Sequence, residues 1–359
     1  MKIFFLFIGL AAGSLGFGQH TENIIIITTD GFRWHEVFTG MDKLLAKDKR
    51  YNEDDSAYIF KKYWSDDMDE SRKKLLPFFW NTVAAKGQLY GNRLLGNKVN
   101  VSNPYWFSYP GYSEIMCGFV DTAINTNEYK PNPNTTVLEF LNRQPLIKGR
   151  VAAFGAWDAF GRILNKERSG IPVVAAYDSC GEKNPTLNEK LINAMLRDIH
   201  KEWKEECYDV FTHYQAMEQL RTKKPKVLYV AYGETDEWAH LRQYRSYLDA
   251  AHQVDAWIKE IWNYIQSDPQ YKNKTTLFIT TDHGRGNKQK DKWTSHGSSV
   301  DDADQIWFAV MGPDTAPSGE MKTVVQLYQK QFAQTIAKLM GHTFSAEHPV
   351  ADEIKSVVK

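Results

Sequence analysis

"NIIIITTDG", residues 23–31, is the stretch that decides the fold. Isoleucines 24–27 form an unbroken apolar run, which reads as a strand buried on both faces of a parallel sheet. The strand runs into a carboxylate, Asp30, followed by Gly31. A carboxylate at the end of a buried strand must be solvated, paired or bound to a cation. Two readings are open at this point: Asp30 caps a turn in which Gly31 supplies a positive φ, or Asp30 holds an ion.

Outward from this strand, further β-branched runs lie near 149–154, 226–232, 275–281 and 305–311. They alternate with helix-period segments near 75–87, 135–143, 187–205, 236–266 and 323–340. This alternation predicts an α/β fold, a three-layer α/β/α sandwich around a mainly parallel central sheet. Residues 41–74 are highly charged, interrupt the pattern, and read as a solvated insertion after the first strand. The division expected is a leader over 1–18 and a single catalytic domain over 19–359.

The leader, "MKIFFLFIGLAAGSLGFGQ", places one Lys before an apolar run and then small residues, the layout of a signal peptide cleaved after Gly18. The run is short for a bilayer span of about 20 residues. Export to a periplasm or the exterior, without a stable membrane anchor, is therefore expected. The 359 residues are 42% hydrophobic and 25% charged with a formal net charge of zero, so no global field recruits nucleic acid or anionic membrane. An anionic substrate must be attracted locally.

In parallel sheets, ligands bind beyond the carboxyl ends of the strands. Three ends carry metal-ligand residue types. Asp30 follows the first; "GETDEWAH" (233–240) follows "KVLYVAY"; "DHGRG" (282–286) follows "TTLFITT". Asp236 and His240 are four apart, which on a helix puts both on one face. Asp282 and His283 are adjacent where Gly284 lets the chain turn, and His296 lies in a loop of small residues, "WTSHGSS". Taken singly, these are as well read as a helix cap, a turn and a surface histidine. Together, Asp30, Asp236, Asp282, His240, His283 and His296 would furnish two ions with three ligands each, and nitrogen and carboxylate donors without thiolates suit zinc. Two such ions clamp the attacking and leaving oxygens of a displacement at phosphorus.

The order Asp, hydroxyl residue, DxxxH, DHG, then a late His in HG resembles the alkaline phosphatase superfamily, especially its nucleotide pyrophosphatase/phosphodiesterase branch. That branch has a nucleophile segment of the form TFPNHYTIVTG. This chain has "SYPGYSEIMCG" (108–118), of equal length, with Pro110 and Gly118 in register. The final strand, "QIWFAVMGP", also resembles the family's stretch after its last ligand. The sister sulfatases need a CxPxR core, which "CGFVD" after Cys117 does not supply.

The resemblance implies an alkaline phosphatase-like fold and a metal-dependent phosphoric ester hydrolase acting through a phosphoserine on Ser108. By the family's arrangement Asp30, Asp282 and His283 hold the ion beside Ser108, and Asp236, His240 and His296 hold the other. A serine hydroxyl is a poor nucleophile until its proton is withdrawn, and metals remove the need for a catalytic His. A helix starting near Tyr109 would add backbone donors for phosphate oxygens.

Two divalent ions balance three carboxylates and one alkoxide, so a monoester, with nearly two charges, should require further cations. Monoesterases of the family carry a Lys/Arg pair in the region aligned with "GAWDAFGRILNKERSG" (155–170). The pair is absent at the strand end here, although Arg162, Lys166 and Arg168 follow shortly. The expectation leans to small-molecule phosphodiesters or pyrophosphates. A monoesterase is the alternative; a phosphoglycerate mutase-like enzyme and an inactive metal-binding protein are more distant ones.

Asn127, or else Asn125, is the candidate for the family's phosphate-binding Asn, although both also suit a turn-rich loop. Trp157 and Tyr109 are candidate platforms for a leaving group, although core packing serves aromatics equally well. Cys117, Cys180 and Cys207 permit a disulfide without demanding one, and Cys180 with Cys207 is the favoured pair, because Cys117 falls beside the nucleophile.

Overall fold

A computed structural model describes residues 20–181 and 183–358, so the leader expected over 1–18 lies outside the described residues. Among the described residues eleven strands form: β1 (Asn23–Thr29), β2 (Gln88–Tyr90), β3 (Asn97–Asn100), β4 (Val151–Gly155), β5 (Val173–Ala175), β6 (Val227–Tyr232), β7 (Thr275–Thr280), β8 (Gln305–Ile306), β9 (Phe308–Met311), β10 (Gly319–Glu320) and β11 (Val325–Tyr328). Eight of them make one sheet in the order β10-β2-β9-β7-β1-β6-β4-β5, and the other three make a small sheet, β11-β3-β8. From β7 to β5 all pairings are parallel, and only β9 runs against its neighbours β7 and β2.

Strand side chains alternate between faces, and the isoleucines show why a continuous apolar run was needed. Ile25 and Ile27 join one core cluster with Leu228, Val230, Leu277 and Ile279. Ile24 and Ile26 join the opposite one with Val227, Tyr229 and Phe278. Both faces are covered by helices. The first carries Asp209–Thr222 and Tyr244–Ser267, the second Ser108–Cys117, Val137–Asn142 and Phe332–Leu339. The expected three-layer architecture is thus what the chain adopts.

Several elements depart from the sequence reading. The helix expected over 236–266 is two helices, Glu234–His240 and Tyr244–Ser267, because the chain turns between them with Arg242 at a φ of +62°. The helix expected from 323 begins only at Phe332; before it, β11 pairs with β3. The segment 41–74 folds into four short helices whose Leu45, Ala46, Tyr51, Ile59, Tyr63 and Leu75 enter the first core, while its charges other than the buried Asp42 and Arg72 stay at the surface. The expected Cys180–Cys207 disulfide does not form: all three cysteines are free and buried. Cys180 Sγ donates to Asn193 Oδ1 at 3.3 Å, whereas Cys207 Sγ sits 3.5 Å from Thr212 Oγ1.

Helix Asp209–Thr222 escaped the sequence reading because polar residues, among them His213, are buried with its apolar ones and blur the stripe. His213 stacks on Trp257 and bonds Tyr232 Oη at 3.0 Å through Nδ1. Burial pushes its pKa down to about 4, against the opposing pull of Glu260. A depressed histidine contributes stability that is complete above the unfolded pKa and is lost as the pH falls through it toward the folded value. Urea melts should therefore lose up to about 3 kcal/mol from this group between pH 6.5 and 4. His213→Phe should flatten that part of the profile; an unchanged profile would rule out the neutral, buried state.

Candidate metal centre

β7, β1 and β6 are neighbours in parallel register, so their carboxyl ends lie side by side. Asp30 follows β1 directly, Asp282 lies just past β7, and Asp236 sits in the first turn of the helix after β6. Gly31, with a φ of +56°, turns the chain away at once. A Cβ there would meet Asp236 Oδ1 at 2.5 Å and Arg285 Nη1 at 2.8 Å, so neither conformation nor space admits a side chain.

The six Asp and His residues separate into two triads, Asp30/Asp282/His283 and Asp236/His240/His296, each with donor atoms within 4.8 Å of one another. In the first, His283 Nε2 stands 3.3 Å from Asp30 Oδ1 and 3.4 Å from Asp282 Oδ2. In the second, His240 Nε2 lies 2.9 Å from Asp236 Oδ2 and 3.0 Å from His296 Nε2. The triads adjoin, His283 Nε2 being 3.8 Å from Asp236 Oδ1.

Supporting contacts hold the first triad. Tyr112 Oη donates to Asp30 Oδ2 at 3.0 Å, and the Gly31 N–H donates to Asp282 Oδ1 at 3.1 Å. His283 Nδ1 faces the Gly284 carbonyl at 2.9 Å, which assigns it the proton of the neutral ring and turns the Nε2 lone pair inward. Asp30 Oδ1 and Asp282 Oδ2 are buried without a hydrogen-bond partner. A buried carboxylate oxygen left in that state is costly unless a cation meets it. Titration points the same way. Burial, and then Asp30, push Asp282 well above its ordinary value. His283 is lowered by burial, yet Asp282 and Asp30 carry it up to about 9. The cluster draws in positive charge, and these donors fit divalent ions.

Ser108 opens the helix Ser108–Cys117, its Oγ 3.3 Å from His283 Nε2, so the hydroxyl adjoins the first triad. The helix comes this close because Gly111 lies against the chain at Asp282; a Cβ would stand 2.6 Å from the Asp282 carbonyl oxygen. The helix N-terminus offers fewer donors than expected. Asn127 Oδ1 already accepts the Tyr109 N–H at 3.0 Å, and Pro110 has none. Asn125 is exposed. Tyr109 is fully buried and spends its hydroxyl on the Lys130 carbonyl; Trp157 is half-buried, edge-on to Phe160.

Arg285 is a residue that sequence reasoning missed. It is 1% exposed, and its guanidinium hydrogen-bonds Asp236 Oδ1. Burial alone would raise Asp236, but Arg285, His240 and His296 hold it well below the usual carboxylate range. The signal was the basic residue directly after "DHG", a place where a turn would have sufficed.

Residues 192–343 match the model of the Metalloenzyme superfamily, a span that includes Asp236, His240, Asp282, His283 and His296. No curated protein sequence matches the chain. Among solved structures, alkaline phosphatase PafA is similar at a TM-score of 0.59 and 9% identity, over 95% of this chain and 99% of its own. The lipoteichoic acid synthase LtaP from Listeria monocytogenes aligns at 0.58 and 11%, over 92% of this chain and 74% of that one. Phosphonate monoester hydrolase SpPMH from Silicibacter pomeroyi aligns at 0.54 and 12%, over 93% and 76%. In sequence, residues 192–343 are similar to the Metalloenzyme superfamily, and in fold the chain is similar to alkaline phosphatase PafA.

Proposed function

We propose that this chain is a phosphoric ester hydrolase in which Ser108 is the nucleophile, and that it prefers phosphodiesters or pyrophosphates. The observation that carries the reading is the place of Ser108 Oγ, 3.3 Å from His283 Nε2 of the first of two adjoining Asp/His triads. Two divalent ions, zinc by donor type, would be held by Asp30, Asp282 and His283 and by Asp236, His240 and His296; their chemistry is to stabilise negative charge on oxygen. Ser108 Oγ bonds to phosphorus as the bond from phosphorus to the ester oxygen breaks, and the serine proton ends on the departing alcohol. Water then attacks phosphorus, and the serine oxygen leaves with a proton restored. Asn127, with its carbonyl committed to Tyr109, has its amide NH2 available for a phosphate oxygen.

The preference for diesters rests on charge. Arg168 is engaged by Glu139 and by the carbonyls of Asn132, Pro133 and Asn134, and Arg162 by the Tyr129 carbonyl. Lys166 faces Asp178 at 3.6 Å. None of the three is held ready for the second charge of a monoester. Export of the mature protein, from the leader over 1–18, belongs to the same reading. Among the described residues no helix is long and apolar enough to cross a membrane.

The test is a panel of chromogenic bis-ester, pyrophosphate and monoester with purified protein, with zinc or with chelator. Cleavage of the bis-ester or pyrophosphate should exceed that of the monoester by about tenfold or more and stop with chelator. Metal-loaded protein that cleaves none of them would overturn the reading, and a faster monoester would overturn the substrate preference.

A further inference from the structure

The guanidinium of Arg285 joins three pieces of chain at the second triad. Nε donates to the Trp293 carbonyl at 2.8 Å and Nη2 to the Thr294 carbonyl at 2.7 Å. Nη1 donates to Asp236 Oδ1, and Nη2 lies 3.5 Å from His240 Nδ1. Trp293 and Thr294 end the short turn Lys290–Thr294, two residues before His296. Trp293 is itself buried against Tyr51, Tyr244 and Tyr247; past it, the segment toward His296 is held by Ser295 N–H to the Lys292 carbonyl at 3.0 Å, Gly286 N–H to the Ser295 carbonyl at 3.2 Å, and Gly297 N–H to the Trp106 carbonyl at 2.9 Å. His296 Nδ1 is buried without a partner, so the ring is held through Nε2, 3.0 Å from His240 Nε2, and by its packing on His283.

An arginine in this place has two physical consequences. Its planar fork fixes Asp236 through Oδ1, so the other oxygen, Oδ2, is turned to His240 at 2.9 Å. Its remaining donors clamp the carbonyls just ahead of His296, which sets how far that imidazole reaches toward His240. Arg285 also follows His283 by two residues, so one short segment supplies a member of the first triad and the brace of the second. Burial of an arginine is costly unless its donors are met, and here carbonyls and a carboxylate meet them.

We infer that Arg285 is a positioning residue for the second ion: it presents Asp236 through one oxygen and holds His296 in register, leaving the first triad independent of it. The inference rests on the two-ion reading above. A lysine keeps the charge but has no fork with which to reach two carbonyls and a carboxylate together. Loss of a group that orients ligands weakens metal affinity by about 10–100-fold.

The experiment is zinc binding by calorimetry, with metal content after dialysis, on the full chain and on Arg285→Lys and Arg285→Met, each checked for folding by circular dichroism. The expected result is two bound equivalents in the parent chain. Both variants should keep the first equivalent at parental affinity and bind the second about tenfold or more weakly, Arg285→Met being the more affected. Two equivalents at parental affinity in a folded variant would overturn the inference. So would failure of both variants to fold, which would make Arg285 a determinant of the fold. Fewer than two equivalents in the parent chain would instead remove the two-ion reading, and this inference with it.

Discussion

Ser108→Ala should abolish ester turnover and leave zinc binding intact. Ser108 is 6% exposed, and its Oγ faces His283 Nε2 at 3.3 Å, so the substitution deletes one oxygen and little packing. The six Asp and His side chains keep their positions, because Tyr112, the Gly31 N–H and Arg285 hold them rather than Ser108. The loss in kcat should be about 10³-fold or more, as when the attacking group of a covalent mechanism is removed. Calorimetry should still give the parental zinc stoichiometry. A variant retaining more than a tenth of the parental rate would mean that water attacks phosphorus directly and that Ser108 is a bystander. A variant that lost zinc along with activity would make Ser108 a support of the centre rather than its nucleophile.

The parts of this centre that were legible in the sequence are those fixed by strand ends. Isoleucines 24–27, "KVLYVAY" and "TTLFITT" are apolar because both sheet faces are covered, and the first polar residues after each are forced to one edge. Neighbouring strands in parallel register then do the rest, bringing Asp30, Asp236 and Asp282 together from distant parts of the chain. His296 could be included only by family order, since its loop has no periodicity.

Arg285 was not legible. A basic residue after a glycine turn ordinarily reads as solvated, and the carbonyls that receive it belong to a turn whose path no local pattern reveals. The short strands β2, β3 and β10 were missed because two to four residues are too few to show alternation. Tyr109 looked like a platform beside the nucleophile, but helix geometry points its ring into the core. Asn127 shows the converse case: a loop residue with turn-forming composition proves to cap the helix that carries Ser108.

Asp282→Asn separates the cost of this centre from its use. Asp282 is fully buried, its Oδ1 receives the Gly31 N–H, and its Oδ2 has no hydrogen-bond partner. Asparagine preserves the shape and the bond to Gly31 while removing the charge. In the two-ion reading the first ion would lose one of its two carboxylates, so activity should fall about 10³-fold or more even in excess zinc.

Metal-free stability should move the other way. Burial and Asp30 push Asp282 well above the ordinary carboxyl value, so its folded-state pKa exceeds its unfolded one. Such a group weakens the native state progressively as the pH rises above the unfolded value. His283, carried up to about 9 by the same carboxylates, adds stability below its unfolded pKa that disappears as the pH rises through 9. In chelator at pH 8, Asp282→Asn should therefore be more stable than the parent chain. Adding zinc should reverse the order, because the parent gains binding free energy that the variant has lost. Thermal melts with chelator and with zinc give all four values. If the parent chain is already the more stable one in chelator, then Asp282 is stabilised by the protein alone, and its carboxylate is not held in reserve for a cation.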